Sequence, residues 1–302
     1  MRILSIGSIK PVEGFEDRLK LEFDILSKKG FNVTLKKNYK GNAVFFYCYI
    51  EDEIILKENH YKIMRQTFVN SIANALSDIV MDYWEPILIK KIIRDNCFYF
   101  NEIEQNRIYD FTLDIANCGE LNLTQDTSSK IKRKICVVHK IREYLADNNI
   151  IMLDGFIDFR LREYMEQLEE LVDTAIDEYL IDREYKEFID LLRYFVDLQE
   201  PKRDLVNVVF CNTKIILMDE DSKFIENDLS LDLLAQENDE VSTDDIVIST
   251  LINIAPRKII IHGFTGEDKI EVINTIYNIF EGRIHFCNSC NICLKSKPLT
   301  TK

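Results

Sequence analysis

The stretch DFRLREYMEQLEELVDTAIDEYLIDREYKEFIDLLRYFVDLQEP, residues 158–201, contains no glycine, and no proline before Pro201. Its apolar residues recur at three and four. Leu161, Met165, Leu168, Val172, Ile176 and Tyr179 form one stripe, and Phe188, Leu192 and Phe195 form another. That is the period of an amphipathic helix, and it commits a large share of the chain to helix. The stretch exceeds an average single helix, so a bend is expected near Ile181–Arg183, with Pro201 closing the element. The same period runs through KIMRQTFVNSIANALSDIVMDYW, after which Pro86 marks a break or restart. It recurs in NEIEQNRIYDFTLDIA and SSKIKRKICVVHKIREYLADNN.

Both ends of the chain read differently. The first residues give a strand at RILSI, an amphipathic helix through FEDRLKLEFDILSKKG and extended NVTLKK and AVFFYCYIEDE. Gly30 after Lys28 and Lys29 is C-terminal helix chemistry, and Lys40-Gly41-Asn42 suits a turn between two strands. After residue 203, LVNVVFCN and KIILMDED suggest a hairpin, with SKFI following. An acidic connection leads to Ser242-Thr243-Asp244-Asp245, a helix-opening capping box, and the helix DIVISTLINIA ends at Pro256. KIIIH, the loop GFTG, the helix EDKIEVINTIYNIF and RIHF then form a right-handed parallel βαβ unit. The expected class is α+β: long helices in the middle, a C-terminal mixed sheet with a hairpin and a βαβ unit, and a small α/β start. The expected divisions are residues 1–58, 59–203 and 204–302, with the N-terminal strands free to join the C-terminal sheet.

A net charge of −14 over 302 residues opposes general attraction to nucleic acid or an anionic membrane, although a local basic surface is compatible with it. Nowhere do about 18 apolar residues run together, so no membrane span is expected. The opening MRILSIGSIKPVEGFEDRL reads as a strand entering a loop, not as a secretory signal. Cys48, Cys97, Cys118, Cys136 and Cys211 are scattered among apolar neighbours without a disulfide pattern. The expectation is a cytoplasmic protein with reduced thiols.

The run GFIDFRLREYMEQLEELVDTAIDEYLIDREYKEFIDLLRYFVDLQEP, then DDIVISTLINIAPRKIIIH and the terminal Cys-x-x-Cys, resembles the YtxC family of sporulation proteins. The likeness is clearest from about Gly155 to Cys293 and looser back to His60. The resemblance implies a cytoplasmic, sporulation-linked role. It supplies no catalytic or binding residues to carry onto this chain.

The candidate chemistry lies in RIHFCNSCNICL, where Cys287, Cys290 and Cys293 stand three positions apart. Strand alternation points His285 and Cys287 the same way, and parallel strands finish at one sheet edge, which brings His262 near Cys287. The candidate metal set is therefore Cys287, Cys290, Cys293, His262 and His285, and three thiolates with an imidazole suit tetrahedral zinc. An iron–sulfur cluster or a redox-sensing thiol set is the competing reading. The fourth cysteine of the ferredoxin spacing would fall at Lys297, where it is absent.

Other features point to structure. In the loop His262–Gly266, Glu267 and Asp268 open the next helix and repel an anion, and Thr265 with Asp268 makes a capping box. The basic stretch Lys130, Lys132, Arg133, Lys134, His139, Lys140, Arg142 has acidic partners in Glu163, Glu166, Glu169, Glu170 and Asp173. No histidine follows a glutamate at the spacing of a di-metal bundle, and no Gly-x-Ser-x-Gly elbow occurs. Tyr179, Tyr185, Phe188, Tyr194 and Phe195 suit either core or an aromatic surface for a protein partner. The sequence leans towards a non-enzymatic protein working through protein contacts, with metal binding as the alternative.

Overall fold

The computed structural model describes residues 2–10, 12–50, 58–117, 127–211, 214–225, 243–263, 270–287 and 290–296; for 58–62, 127–128, 214, 243 and 294–296 it describes backbone alone. Ser242 and the acidic connection before it, and the loop carrying Thr265 and Asp268, lie outside the described residues. The chain forms two compact units, Met1–Leu180 and Ile181–Lys302.

The first unit opens with strand β1 (Arg2–Ser8), helix α1 (Phe15–Lys28) and the hairpin strands β2 (Val33–Lys40) and β3 (Ala43–Ile50). Gly30, with φ of 88°, ends α1 in the left-handed region where a side chain is disfavoured. A fourth strand, β4 (Ile150–Met152), completes a sheet of order β2-β3-β1-β4, with β1 antiparallel to β3 and parallel to β4. The N-terminal strands therefore pair with residues 150–152 and not with the C-terminal sheet. That pairing needs a glycine: a Cβ on Gly7 would stand 2.2 Å from Met152 Sδ. Along β3, Phe46, Cys48 and Ile50 are buried while Phe45, Tyr47 and Tyr49 line the other face half-buried. Helix α1 covers the buried face through Phe15, Leu19, Phe23 and Leu26, with the Phe15 ring 4.9 Å from that of Phe46.

The helices of this unit are α2 (Glu58–Ile79), α3 (Glu85–Asn96), α4 (Glu102–Asn117), α5 (Thr127–Asp147), α6 (Leu153–Arg160) and the first half of α7 (Arg162–Leu198). One π-helical turn, Val80–Trp84, joins α2 to α3, and the Glu85 N–H bonds back to Val80 O. Pro86 explains it: the ring removes an N–H and crowds the carbonyl four residues earlier, so the ladder widens there and restarts. Helix α4 starts with a reciprocal cap, in which Asn101 Oδ1 accepts from the Glu104 N–H and Glu104 Oε2 accepts from the Asn101 N–H. Phe68, Ile72, Leu76, Val137, Ile141, Leu168 and Val172 centre the core.

Arg133, 1 % exposed, is fully buried in the unit. Its guanidinium donates to Glu85 Oε2 at 3.2 Å and Oε1 at 3.1 Å, to Ser129 Oγ at 3.0 Å and to Ala116 O at 3.3 Å. The Tyr164 hydroxyl donates to the same Glu85 carboxylate.

Helix α7 is one uninterrupted helix of 37 residues, with no break in its hydrogen-bonded run at Ile181–Arg183. No glycine or proline weakens it there, and Asp182–Lys186 at 2.7 Å and Arg183–Glu187 at 3.4 Å bridge successive turns.

The second unit holds the end of α7, β5 (Leu205–Cys211), β6 (Lys214–Met218), α8 (Thr243–Ile254), β7 (Lys258–His262), α9 (Ile270–Ile279), β8 (Ile284–Phe286) and α10 (Asn291–Ser296). Its sheet has the order β6-β5-β7-β8, with the β5–β6 hairpin antiparallel and β5–β7 and β7–β8 parallel. Val206, Val208, Ile259 and Ile261 form one core with Val247, Leu251, Ile273 and Ile276. From α7 the core takes Ile189 and Val196, while Phe188 and Phe195 are 56 % and 54 % exposed. The burying stripe is turned by one residue from the expected one, which leaves both phenylalanines on its flank. The architecture is α+β with long central helices.

Candidate metal centre

Four side chains converge beyond the ends of the two parallel strands. Strand β8 pairs with β7 as Ile259↔Ile284, Ile260↔His285 and Ile261↔Phe286, and the Cys287 N–H then donates to Ile261 O at 2.9 Å. That bond carries the ladder one step past β8 and sets Cys287 beside His262. Cys290, immediately before α10, and Cys293, in its first turn, lie at the same place. The donor atoms of His262, Cys287, Cys290 and Cys293 all lie within 4.8 Å of one another. Cys290 Sγ and Cys293 Sγ are 3.7 Å apart and stand 3.3 and 3.5 Å from His262 Nδ1.

His285 is outside this group and exposed. It shares a face with Cys287, but its place opposite Ile260 leaves it two residues short of the edge. Two strand residues span about 6.6 Å, too far for a common coordination sphere.

One further residue orients the site. Asn207 on β5 is 5 % exposed, and its Nδ2 donates to Asp219 O at 2.9 Å. That bond directs Oδ1 at His262 Nε2, 3.0 Å away. The network therefore assigns the imidazole proton to Nε2 and leaves the Nδ1 lone pair facing the thiols. Burial holds the His262 pKa below the ordinary imidazole value, so the ring is neutral and free to bind through that lone pair. The Cys287 thiol is pushed up to about 11 by burial and by its two neighbouring sulfurs. Cys290 is shifted below the usual thiol value, first by the Cys293 backbone N–H and then by the Cys287 thiol. Sulfurs this close resist ionising together, a repulsion that a divalent cation removes.

The YtxC-like family profile matches residues 70–285, which is most of the chain. The chain belongs to the YtxC-like family. It is also similar to the uncharacterised protein YtxC of Bacillus subtilis (strain 168), at 24% identity over 223 residues that cover 68% of this chain and 76% of that relative. No solved structure matches the chain. The family match spans Asn207 and His262 and stops before Cys287, so the sulfur half of the cluster stands on the geometry of this chain.

The other residues singled out in the sequence fall elsewhere. In the basic stretch Arg133 is the buried partner of Glu85, Lys134 pairs with Asp78 at 2.5 Å, and Lys140 lies 3.7 Å from Glu163. Only the last of these uses the acidic residues of α7. Tyr179 is buried and donates to Glu104 at 3.1 Å, whereas Tyr194 joins Phe188 and Phe195 among the exposed residues. Among the described residues, no helix is long and apolar enough to cross a membrane. Asn207 belongs to no motif. Its signal was an amide inside the apolar run LVNVV, since a buried amide requires partners.

Proposed function

We propose that this protein binds one Zn²⁺ through His262 Nδ1 and the thiolates of Cys287, Cys290 and Cys293, and that the ion fastens the C-terminal tail to the sheet of the second unit. The donor spacing carries the reading. Zinc–sulfur bonds of about 2.3 Å and zinc–nitrogen bonds of about 2.0 Å at tetrahedral angles require sulfurs about 3.8 Å apart and sulfur–nitrogen separations near ~3.5 Å. The corresponding distances here are 3.7 Å between Cys290 Sγ and Cys293 Sγ and 3.3 and 3.5 Å from these two sulfurs to Nδ1, with Cys287 Sγ within 4.8 Å of all three. Asn207 supplies the outer partner that a metal-binding imidazole needs. Four protein donors close the coordination sphere, which makes the site structural, with metal binding adding to folding stability.

An iron–sulfur cluster is the weaker reading. In a [4Fe–4S] cluster each thiolate binds a separate iron and must stand further apart, and Lys297 occupies the place of the fourth cysteine. Within the zinc reading the protein is non-enzymatic and cytoplasmic and works through protein contacts, in the sporulation setting implied by the resemblance. The exposed Phe188, Leu191, Tyr194, Phe195 and Leu198 of α7 support a contact role.

The test is metal analysis of the full chain purified without chelator. About one zinc per chain is expected, falling to background in the Cys290→Ser, Cys293→Ser double variant. Substoichiometric zinc that supplementation does not raise would overturn the proposal, and stoichiometric iron would replace it with the cluster.

A further inference from the structure

Beyond the metal site, one surface of the first unit combines two chemistries. The outer face of β3 carries Phe45, Tyr47 and Tyr49 at alternate positions, all half-buried. Each ring has its own cation. The Lys40 ammonium lies 5.6 Å from the Phe45 centroid, the Arg2 guanidinium 5.6 Å from Tyr47, and the Lys36 ammonium 5.2 Å from Tyr49. The cation-bearing residues are themselves exposed and come from the strands on either side, β1 and β2. The rings of Phe45 and Tyr47 are nearly parallel, 10° apart in plane with centroids 6.1 Å apart.

Charge is segregated across this sheet. The hairpin of residues 33–50 contains no aspartate or glutamate; its Lys37, opposite Phe46, pairs with Glu16 of α1 at 3.0 Å, and Lys36 and Lys40 stay with the aromatic row. The carboxylates between β1 and β2 belong to α1 and its approach, and α1 packs on the opposite face against Phe46. A chain of net charge −14 thus presents one local surface that is both cationic and aromatic. The acidic Glu51, Asp52 and Glu53 that follow β3 lie outside the described residues.

We propose that this sheet face binds single-stranded nucleic acid, with bases stacking on Phe45, Tyr47 and Tyr49 and phosphates held by Arg2, Lys36 and Lys40. Aromatic platforms accept any base, because every base has a π-face, and interleaved cations track the backbone between stacked bases. Alternate strand positions repeat every ~6.6 Å, a step that lets one extended strand meet each ring and its cation in turn. A duplex hides its π-faces inside the stack and cannot use the rings. An anionic bilayer would engage the cations and has no base to stack. This binding is independent of the zinc site, and its test needs no metal.

The experiment measures fluorescence anisotropy of a labelled oligothymidylate of roughly 20 nucleotides, longer than the site of one such platform, against the full chain. Three phosphate contacts on a single strand give a log–log salt slope of about −2, so affinity falls roughly 20-fold between about 50 and about 200 mM salt. Tyr47→Ala should weaken binding roughly 5- to 150-fold. The Lys36→Glu, Lys40→Glu double variant should lower the slope by at least ~1.4 and weaken binding with the sheet intact, which serves where the tyrosine variant proves unstable. No binding at low salt, undiminished binding by the charge variant, or equal affinity for a duplex of the same length would each overturn the proposal. So would binding to phosphatidylserine vesicles in place of the oligonucleotide.

Discussion

Replacing Glu85 by leucine should be among the most damaging single changes available in the first unit. In the native fold the carboxylate takes two hydrogen bonds from a guanidinium that is 1 % exposed and one from the Tyr164 hydroxyl. Without it Arg133 keeps only Ser129 Oγ and Ala116 O and remains charged in the core. Breaking a buried pair from one side destabilises by about 3–5 kcal/mol, most of it from the stranded ion and little from the lost bond. Removing both charges tells the two apart. A Glu85→Leu, Arg133→Met double variant leaves no buried ion, and its main remaining penalty is the Tyr164 hydroxyl, about 1–3 kcal/mol. The double variant should therefore be more stable than Glu85→Leu alone, and adding Tyr164→Phe should bring it close to the wild type.

The chain supplies its own reporter. Trp84 is the single tryptophan, is buried, and precedes Glu85 in sequence, so its fluorescence follows the first unit alone. With an m-value of about 2–3 kcal/mol per molar urea, appropriate to a unit of this size, Glu85→Leu should lower the urea midpoint by roughly 1–2 M. A double variant whose loss equals the sum of the two singles would refute the reasoning, since coupled residues in contact must show an interaction energy. A loss under about 1 kcal/mol in Glu85→Leu would refute it too, because it would mean that water reaches Arg133.

Two further outcomes test the chemistry of buried groups. Asn207→Ala should weaken zinc binding about 10- to 100-fold in chelator competition, the range for a lost outer partner, whereas Asn207→Asp, which still accepts from Nε2, should hold within severalfold; equal affinity for alanine would remove Asn207 from the site. Burial and the neighbouring Glu85 carboxylate raise the Tyr164 phenol pKa, so the folded chain keeps a proton that the unfolded chain releases above about pH 10. The contribution is intact below about pH 10 and is lost above it, at up to ~1.4 kcal/mol per pH unit. Urea midpoints of wild type and Tyr164→Phe should converge across that range, and parallel curves would contradict the assignment.

What the sequence disclosed follows from the range of each signal. Helical period, the hairpin residues at Gly41-Asn42 and the βαβ order are local, and the corresponding elements stand where they were expected. The strand Ile150–Met152 is three residues long, too short for alternation to register, and its pairing with β1 turns on the contact of Gly7 with Met152, 145 positions away. Phe188 and Phe195 were indistinguishable from Ile189 and Val196 by period alone, because a face of α7 becomes core or surface according to what packs on it. The cluster of His262 with the three cysteines shows both limits together. Cys287, Cys290 and Cys293 are neighbours in the chain and were visible at once, and His262 followed from the rule that parallel strands end at one edge. Choosing between His262 and His285 needed the register, since alternation gives the face of a side chain and leaves its height along the strand undetermined. Asn207 needed the register of a third strand. Reading across strands is also what separates the two polar surfaces. Lysines on α5 that form an obvious basic run are partly consumed by Asp78 and Glu163, and Arg133 by Glu85. The cations of β1 and β2, far apart in sequence, meet on one row of rings with no carboxylate in the hairpin to neutralise them.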